Sequence, residues 1–136
     1  MLAGTAYDLH GDEQGSMGVD CGDFDNDCRL DFFVTSYQHQ FATLYRNLGD
    51  GLFEDVTAKT GAGTGTLPFV TWGNSIVDLD NDGDRDIFIA CGHLQDNVEL
   101  FDDTTSYLTP NIVLANDGKG RFIDVSAEAG DGMKVR

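Results

Sequence analysis

The chain has 136 residues, room for a single domain. Its 24 Asp and Glu against 8 Lys and Arg give a formal net charge of −16, which repels nucleic acid and anionic membrane faces and suits metal cations and basic partners. At 40% hydrophobic and 10% aromatic residues, the chain can build a core and does not read as disordered.

The opening residues Met1-Leu2-Ala3-Gly4-Thr5 carry neither the basic start nor the apolar stretch of a leader peptide. No apolar run reaches membrane-spanning length, so no membrane insertion is expected. Seventeen Gly with two Pro indicate many tight turns between short strands. In chain order, strands are predicted at 18–22, 31–36, 43–47 and 52–55, then at 73–77, 86–90, 111–115 and 121–124. Leu48-Gly49-Asp50-Gly51 and Asp117-Gly118-Lys119-Gly120 read as hairpin turns. The runs Phe32-Phe33-Val34 and Ile87-Phe88-Ile89 are apolar at every position, as in a strand covered on both faces. Thr57–Gly61 and Ser126–Gly130 allow one helical turn each and no more.

These elements form an internal repeat. Met17 to Val34 aligns with Trp72 to Ile89 at an offset of 55, and Asn47 to Thr57 aligns with Asn116 to Ser126 at an offset of 69. The second copy therefore holds 14 extra residues near 93–110, which belong in a surface loop. The repeats span 17–61 and 72–130. Four short strands per copy, with covered faces, describe a propeller blade, so the expected fold is all-β: two four-stranded blades of a partial β-propeller.

Each copy carries an acidic loop between its first two strands. Asp78, Asp80, Asp82 and Asp86 occupy positions 1, 3, 5 and 9 of the second loop. Alternate residues of a tight turn converge on one centre, and Gly83 permits the bend. The carbonyl of Asp84 is expected to complete a shell of hard oxygens, the donor set Ca²⁺ prefers. An EF-hand would need Glu at position 12 and flanking helices, but position 12 is Ile89. The first loop repeats the pattern with Asp23, Asp25, Asp27 and Asp31, and with the carbonyl of Arg29. Cys28 stands where the second loop has Gly83, so a strained turn and weaker calcium binding are expected there, with the Arg29 guanidinium turned outward. The metal's expected role is structural.

Cys21, Cys28 and Cys91 form no zinc spacing and read as small buried or half-buried residues; a Cys21–Cys28 bridge is the other possibility. His10, His39 and His93 are not spaced as a metal triad and read as surface or loop residues, with His93 at a blade edge. No nucleophile elbow or phosphate-cradling loop is present, and no catalytic residue is assigned. Gly61–Thr66 reads as an inter-blade linker, and Trp72 as a core residue at a blade start.

The acidic loops, with Met17-Gly18 and Trp72-Gly73 before them, resemble the FG-GAP/VCBS repeats of integrin-α-like β-propellers. The Gly-Ala-Pro end of that motif is absent; Ser36-Tyr37 and Cys91-Gly92 stand there. Asn47 to Thr57, Gly92-His93 and Tyr107-Leu108-Thr109-Pro110-Asn111 resemble the ASPIC/UnbV (cartilage acidic protein-like) group. The similarity runs from about Ala6 to Gly130. It implies a propeller of about seven blades, a secreted or cell-envelope location and a binding or adhesion role toward an unidentified protein or glycan. It also implies that this is an internal piece of a longer chain, with self-association as the other way to cover its open faces. The alternative function is a piece of a calcium-dependent propeller enzyme acting on polysaccharide.

Overall fold

In the computed structural model, which describes residues 3–134, the chain is all-β. The first sheet holds β1 (Val19–Gly22), β2 (Asp31–Val34), β3 (Thr43–Gly49) and β4 (Leu52–Asp55). The second holds β5 (Thr71–Val77), β6 (Asp86–Cys91), β7 (Ile112–Asn116) and β8 (Phe122–Asp124). Both are antiparallel meanders in sequence order, the arrangement of two successive propeller blades. No helix among the described residues is long and apolar enough to cross a membrane.

Local chemistry explains why each blade closes the same way. The Asp-Val-Thr/Ser signature ends the fourth strand of both copies. Asp55 Oδ1 accepts the Thr57 N–H at 2.9 Å, and the Thr57 hydroxyl accepts the Leu44 N–H of β3 at 2.9 Å. In the second copy Asp124 accepts from Ser126 N–H at 2.9 Å, and the Ser126 hydroxyl accepts from Val113 N–H at 3.0 Å. The hydroxyl thereby continues the ladder where the fourth strand turns away. Thr57–Thr60 forms a single helical turn, α1, stopped by Gly61 at φ +79, as the sequence predicts. Ser126–Gly130 makes a turn without becoming a helix.

The two sheets pack face to face along β1 and β5. A Cβ on Gly18 would run into the carbonyl oxygen of Trp72, and one on Gly22 into the side chain of Ile76 at 2.6 Å, so glycine lets the inner strands approach. Asp20 Oδ2 accepts the Ile76 N–H at 2.9 Å across this seam. Phe33 and Leu44 from the first sheet and Ile87, Ile89 and Leu114 from the second are fully buried in the shared core. Each contributes about 1.5–3 kcal/mol by leaving water.

The outward faces are less covered than the apolar runs predict. Phe32, Val34 and Phe88 are only half-buried, because alternate strand residues point away from the shared core. The segment before β1 partly screens the first blade: the Tyr45 hydroxyl donates to Tyr7 O at 3.4 Å, and the Phe53 N–H donates to Ala3 O at 2.8 Å. Gly4 lies against the Phe53 carbonyl as Gly61, in the inter-blade linker, lies against that of Phe122. The N-terminal segment therefore sits on blade 1 as the linker sits on blade 2.

Three smaller expectations change. Cys21 and Cys28 are exposed and unbridged; only Cys91 is half-buried, its thiol pushed up to about 12 by burial. His93 packs at the blade edge, as expected, but is buried there rather than on the surface, its N–H donating to Tyr107 O of the insertion at 3.1 Å. Trp72 is half-buried at the seam's end rather than in the core.

Candidate metal centres

Each acidic loop joins the first and second strands of its blade, and the two share the same set of carboxylate-to-backbone bonds, to which the second adds one from Asp82 N–H to Asp80 Oδ1 at 3.1 Å. In the first, Asp23 accepts the N–H groups of Asp27 at 3.0 Å and Cys28 at 2.8 Å. In the second, Asp78 accepts those of Asp82 and Gly83, both at 3.1 Å. Asp27 accepts from Arg29 N–H and Asp82 from Asp84 N–H, each at 2.9 Å. The closing carboxylate opens the second strand in both. Asp31 takes the N–H groups of Phe24 (3.2 Å) and Asn47 (2.8 Å). Asp86 takes those of Leu79 (2.8 Å) and Asn116 (2.9 Å). These short Asp side chains replace the missing backbone ladder of a tight turn.

The loops bring their carboxylates together unequally. Oxygens of Asp23, Asp25 and Asp27 lie within 4.8 Å of one another in the first, and those of Asp78, Asp80 and Asp86 in the second. Asp31 and Asp82 stand outside these groups. Asp82 is exposed and turned onto the Asp84 N–H, while Asp31 is buried and held by two N–H groups. Burial, above all, pushes the Asp31 carboxyl up, with Asp25 and Asp27 adding to it against the two N–H bonds. Desolvation first, then the charges of Asp82, Asp86 and Asp78, push Asp80 up. Both shifts mark carboxyls whose charge is poorly solvated first and crowded by neighbouring carboxylates second, a state a cation would relieve.

A metal fits this donor set. Every converging group is a carboxylate oxygen, the hard donor that Ca²⁺ takes in irregular geometry. In the first loop Asp25 Oδ1 is buried without a hydrogen-bond partner, an orphaned anionic oxygen that a cation would satisfy.

The sequence missed one feature. Arg46 on β3 reaches into the first loop, its Nε 2.7 Å from Asp25 Oδ2 and its Nη2 3.3 Å from Asp27 Oδ2. The Nε–H does not point along a hydrogen bond, so the contact is an ion pair by distance only. Arg29, expected to point outward, also turns back: its Nη2 lies 2.5 Å from Asp27 Oδ2 and its Nε–H donates to Asn47 O at 2.8 Å. Ala115 occupies the position of Arg46 in the second repeat, and no Lys or Arg is paired with its loop among the described residues. The signal was present in the repeat alignment as Arg opposite Ala, but only the register of β3 aims that side chain at the loop.

Backbone strain also separates the loops. Cys28 and Gly83 both sit at positive φ, +67 and +99. Cys28 bears a Cβ penalty there that Gly83 avoids. Cys28→Gly is expected to raise stability by about 0.5–1 kcal/mol, the strain relief exceeding the entropy lost to a freer unfolded chain. Urea titration of the two proteins measures it; a lower midpoint for the variant would refute the strain.

The loops are also tied to each other. The Asn26 side-chain amide donates to Asp84 Oδ1 at 3.2 Å, and Asn116 donates to both Phe24 O (3.0 Å) and Arg85 O (3.1 Å). Phe24, in the first loop, packs on Phe122 of the second blade with ring centroids 6.0 Å apart.

Residues 23–89, which run from the first acidic loop through the second and into β6, match the FG-GAP-like repeat family. No curated protein matches the chain.

Proposed function

We propose, from the FG-GAP-like repeat that residues 23–89 carry, that this chain is a calcium-binding β-propeller module with a binding or adhesion role. In this reading calcium is structural. The converging carboxylates of Asp78, Asp80 and Asp86 hold one ion and those of Asp23, Asp25 and Asp27 the other, with Asp82, Asp31 and the carbonyls of Asp84 and Arg29 joining the shell when the ion binds. The observation that carries it is the pair of carboxylate triads, each within 4.8 Å, at equivalent hairpins of successive sheets. A catalytic metal would mark one repeat; equivalent placement in both suits a module that is not an enzyme. The extracellular or cell-envelope location in this reading comes from the resemblance to FG-GAP/VCBS propellers.

The same reading assigns the open faces to further blades of a longer chain. Phe24 is 4% exposed where blade 2 covers it, whereas its counterpart Leu79 is 46% exposed on the face that a third blade would cover. Within this family, membership of the ASPIC/UnbV group is the finer assignment, carried by Gly92-His93 and the Tyr107–Asn111 stretch.

Calorimetric titration of the EDTA-treated chain with CaCl₂ tests the metal assignment. Two sites are expected, the tighter lost in Asp80→Ala. Arg46→Ala is expected to tighten the weaker site about tenfold, since a guanidinium beside the carboxylates competes with the ion. An isotherm without heat, or an Arg46→Ala protein with unchanged affinities, refutes the corresponding part.

A further inference from the structure

At the strand ends opposite the acidic loops, the start of β5, the end of β6 and the insertion enclose an open groove of about 440 Å³. No Asp, Glu, Lys or Arg lines it, in a chain with 24 acidic residues. Its apolar surface includes Trp72, whose indole N–H is fixed by donation to Gly92 O at 2.7 Å, and Tyr107, which is 42% exposed. Its polar groups are uncharged and in part unused. His93 Nδ1 accepts the Gln95 N–H at 3.1 Å, which places the neutral ring's proton on Nε2. Asn111 Oδ1 accepts the Cys91 N–H at 3.0 Å, leaving its amide nitrogen without a partner among the described residues. Thr109, only 6% exposed, has a buried hydroxyl with no hydrogen-bond partner.

We infer that this groove binds one pyranose unit of a neutral saccharide. Aromatic faces beside uncharged donors suit a ligand with an apolar face and a rim of hydroxyls. Charge decides against acidic sugars: the Glu99 carboxylate, which accepts the Tyr107 N–H at 2.8 Å, stands next to the groove. Tyr107 and Thr109 lie in the insertion, so the first repeat has no counterpart, and blade closure does not require them. The assignment rests on the binding-module reading above and names its ligand class.

Trp72 is the chain's single tryptophan, so its emission reports this groove. The full chain in calcium buffer is titrated with the methyl glycosides of glucose, galactose and mannose, and with glucuronate. At least one neutral glycoside is expected to shift the emission saturably, with Kd on the order of millimolar. Tyr107→Ala, which keeps the backbone bonds to Glu99 and His93, is expected to weaken that binding at least tenfold, and Tyr107→Phe to preserve it. Silence from every glycoside, an equal response to glucuronate, or unchanged binding by Tyr107→Ala overturns the assignment. Calcium-induced stabilisation is measured in the same samples. Its survival confines a failure to the saccharide; its loss refutes the calcium reading instead.

Discussion

Calcium at about one hundred times its dissociation constant is expected to raise the unfolding free energy by about 2.7 kcal/mol for each loop it fills. In a chain of this size that corresponds to a rise of about 5–10 °C in Tm per site. The effect follows from linkage: the triads exist only when the hairpins are folded, so metal binding energy is folding energy. Without the ion, Asp78, Asp80 and Asp86 crowd their oxygens within 4.8 Å with no paired Lys or Arg among the described residues. The first loop is partly neutralised by Arg46 and Arg29, so the second is expected to supply most of the gain at low calcium. Thermal melts in EDTA and across a calcium series measure this, and Asp80→Ala should remove the first part of the rise. A midpoint that stays within a degree across the whole series would exclude a structural ion.

Asn116→Ala is expected to cost about 3–4 kcal/mol, the largest effect of any single polar substitution at the seam. Its side chain makes four hydrogen bonds. The amide donates to Phe24 O and Arg85 O, and Oδ1 accepts from Gly118 N–H and Gly120 N–H, both at 3.2 Å. Three of these stay within blade 2; the bond to Phe24 docks one blade's metal loop on the next blade's outer hairpin. Asn47 is the counterpart in the first repeat. Its side chain donates to Leu30 O at 3.0 Å and accepts from Gly49 N–H at 2.8 Å. It is partly exposed, so Asn47→Ala should cost only about 1–2 kcal/mol. The difference between the two, read from urea midpoints, measures the inter-blade bond to Phe24 together with the extra Gly120 bond and the deeper burial of Asn116. Equal costs would mean that Asn116 serves only its own hairpin.

Much of the blade was legible because its signals are local. The short apolar runs, the Gly-rich hairpin turns and the alternating Asp loop each act over a few residues, so the fold class and nearly all strand positions could be read in order. Repetition strengthened the reading, since two copies at fixed offsets show which residues a blade needs. Where the reading failed, the cause was distance along the chain. Arg46 meets Asp25 and Asp27 from another strand. Arg29 turns inward because Asn47 O and Asp27 receive it. His93 is buried by an insertion whose path no local pattern specifies.

The sequence by itself determined that this chain makes two four-stranded blades with an acidic loop at equivalent hairpins, because turn chemistry and short apolar runs are properties of neighbouring residues. The tertiary structure alone decided which carboxylates converge, which loop has its charge balanced by arginine, and where an uncharged groove opens in an acidic protein. Those depend on strand register and blade packing, which bring together side chains that the sequence keeps far apart.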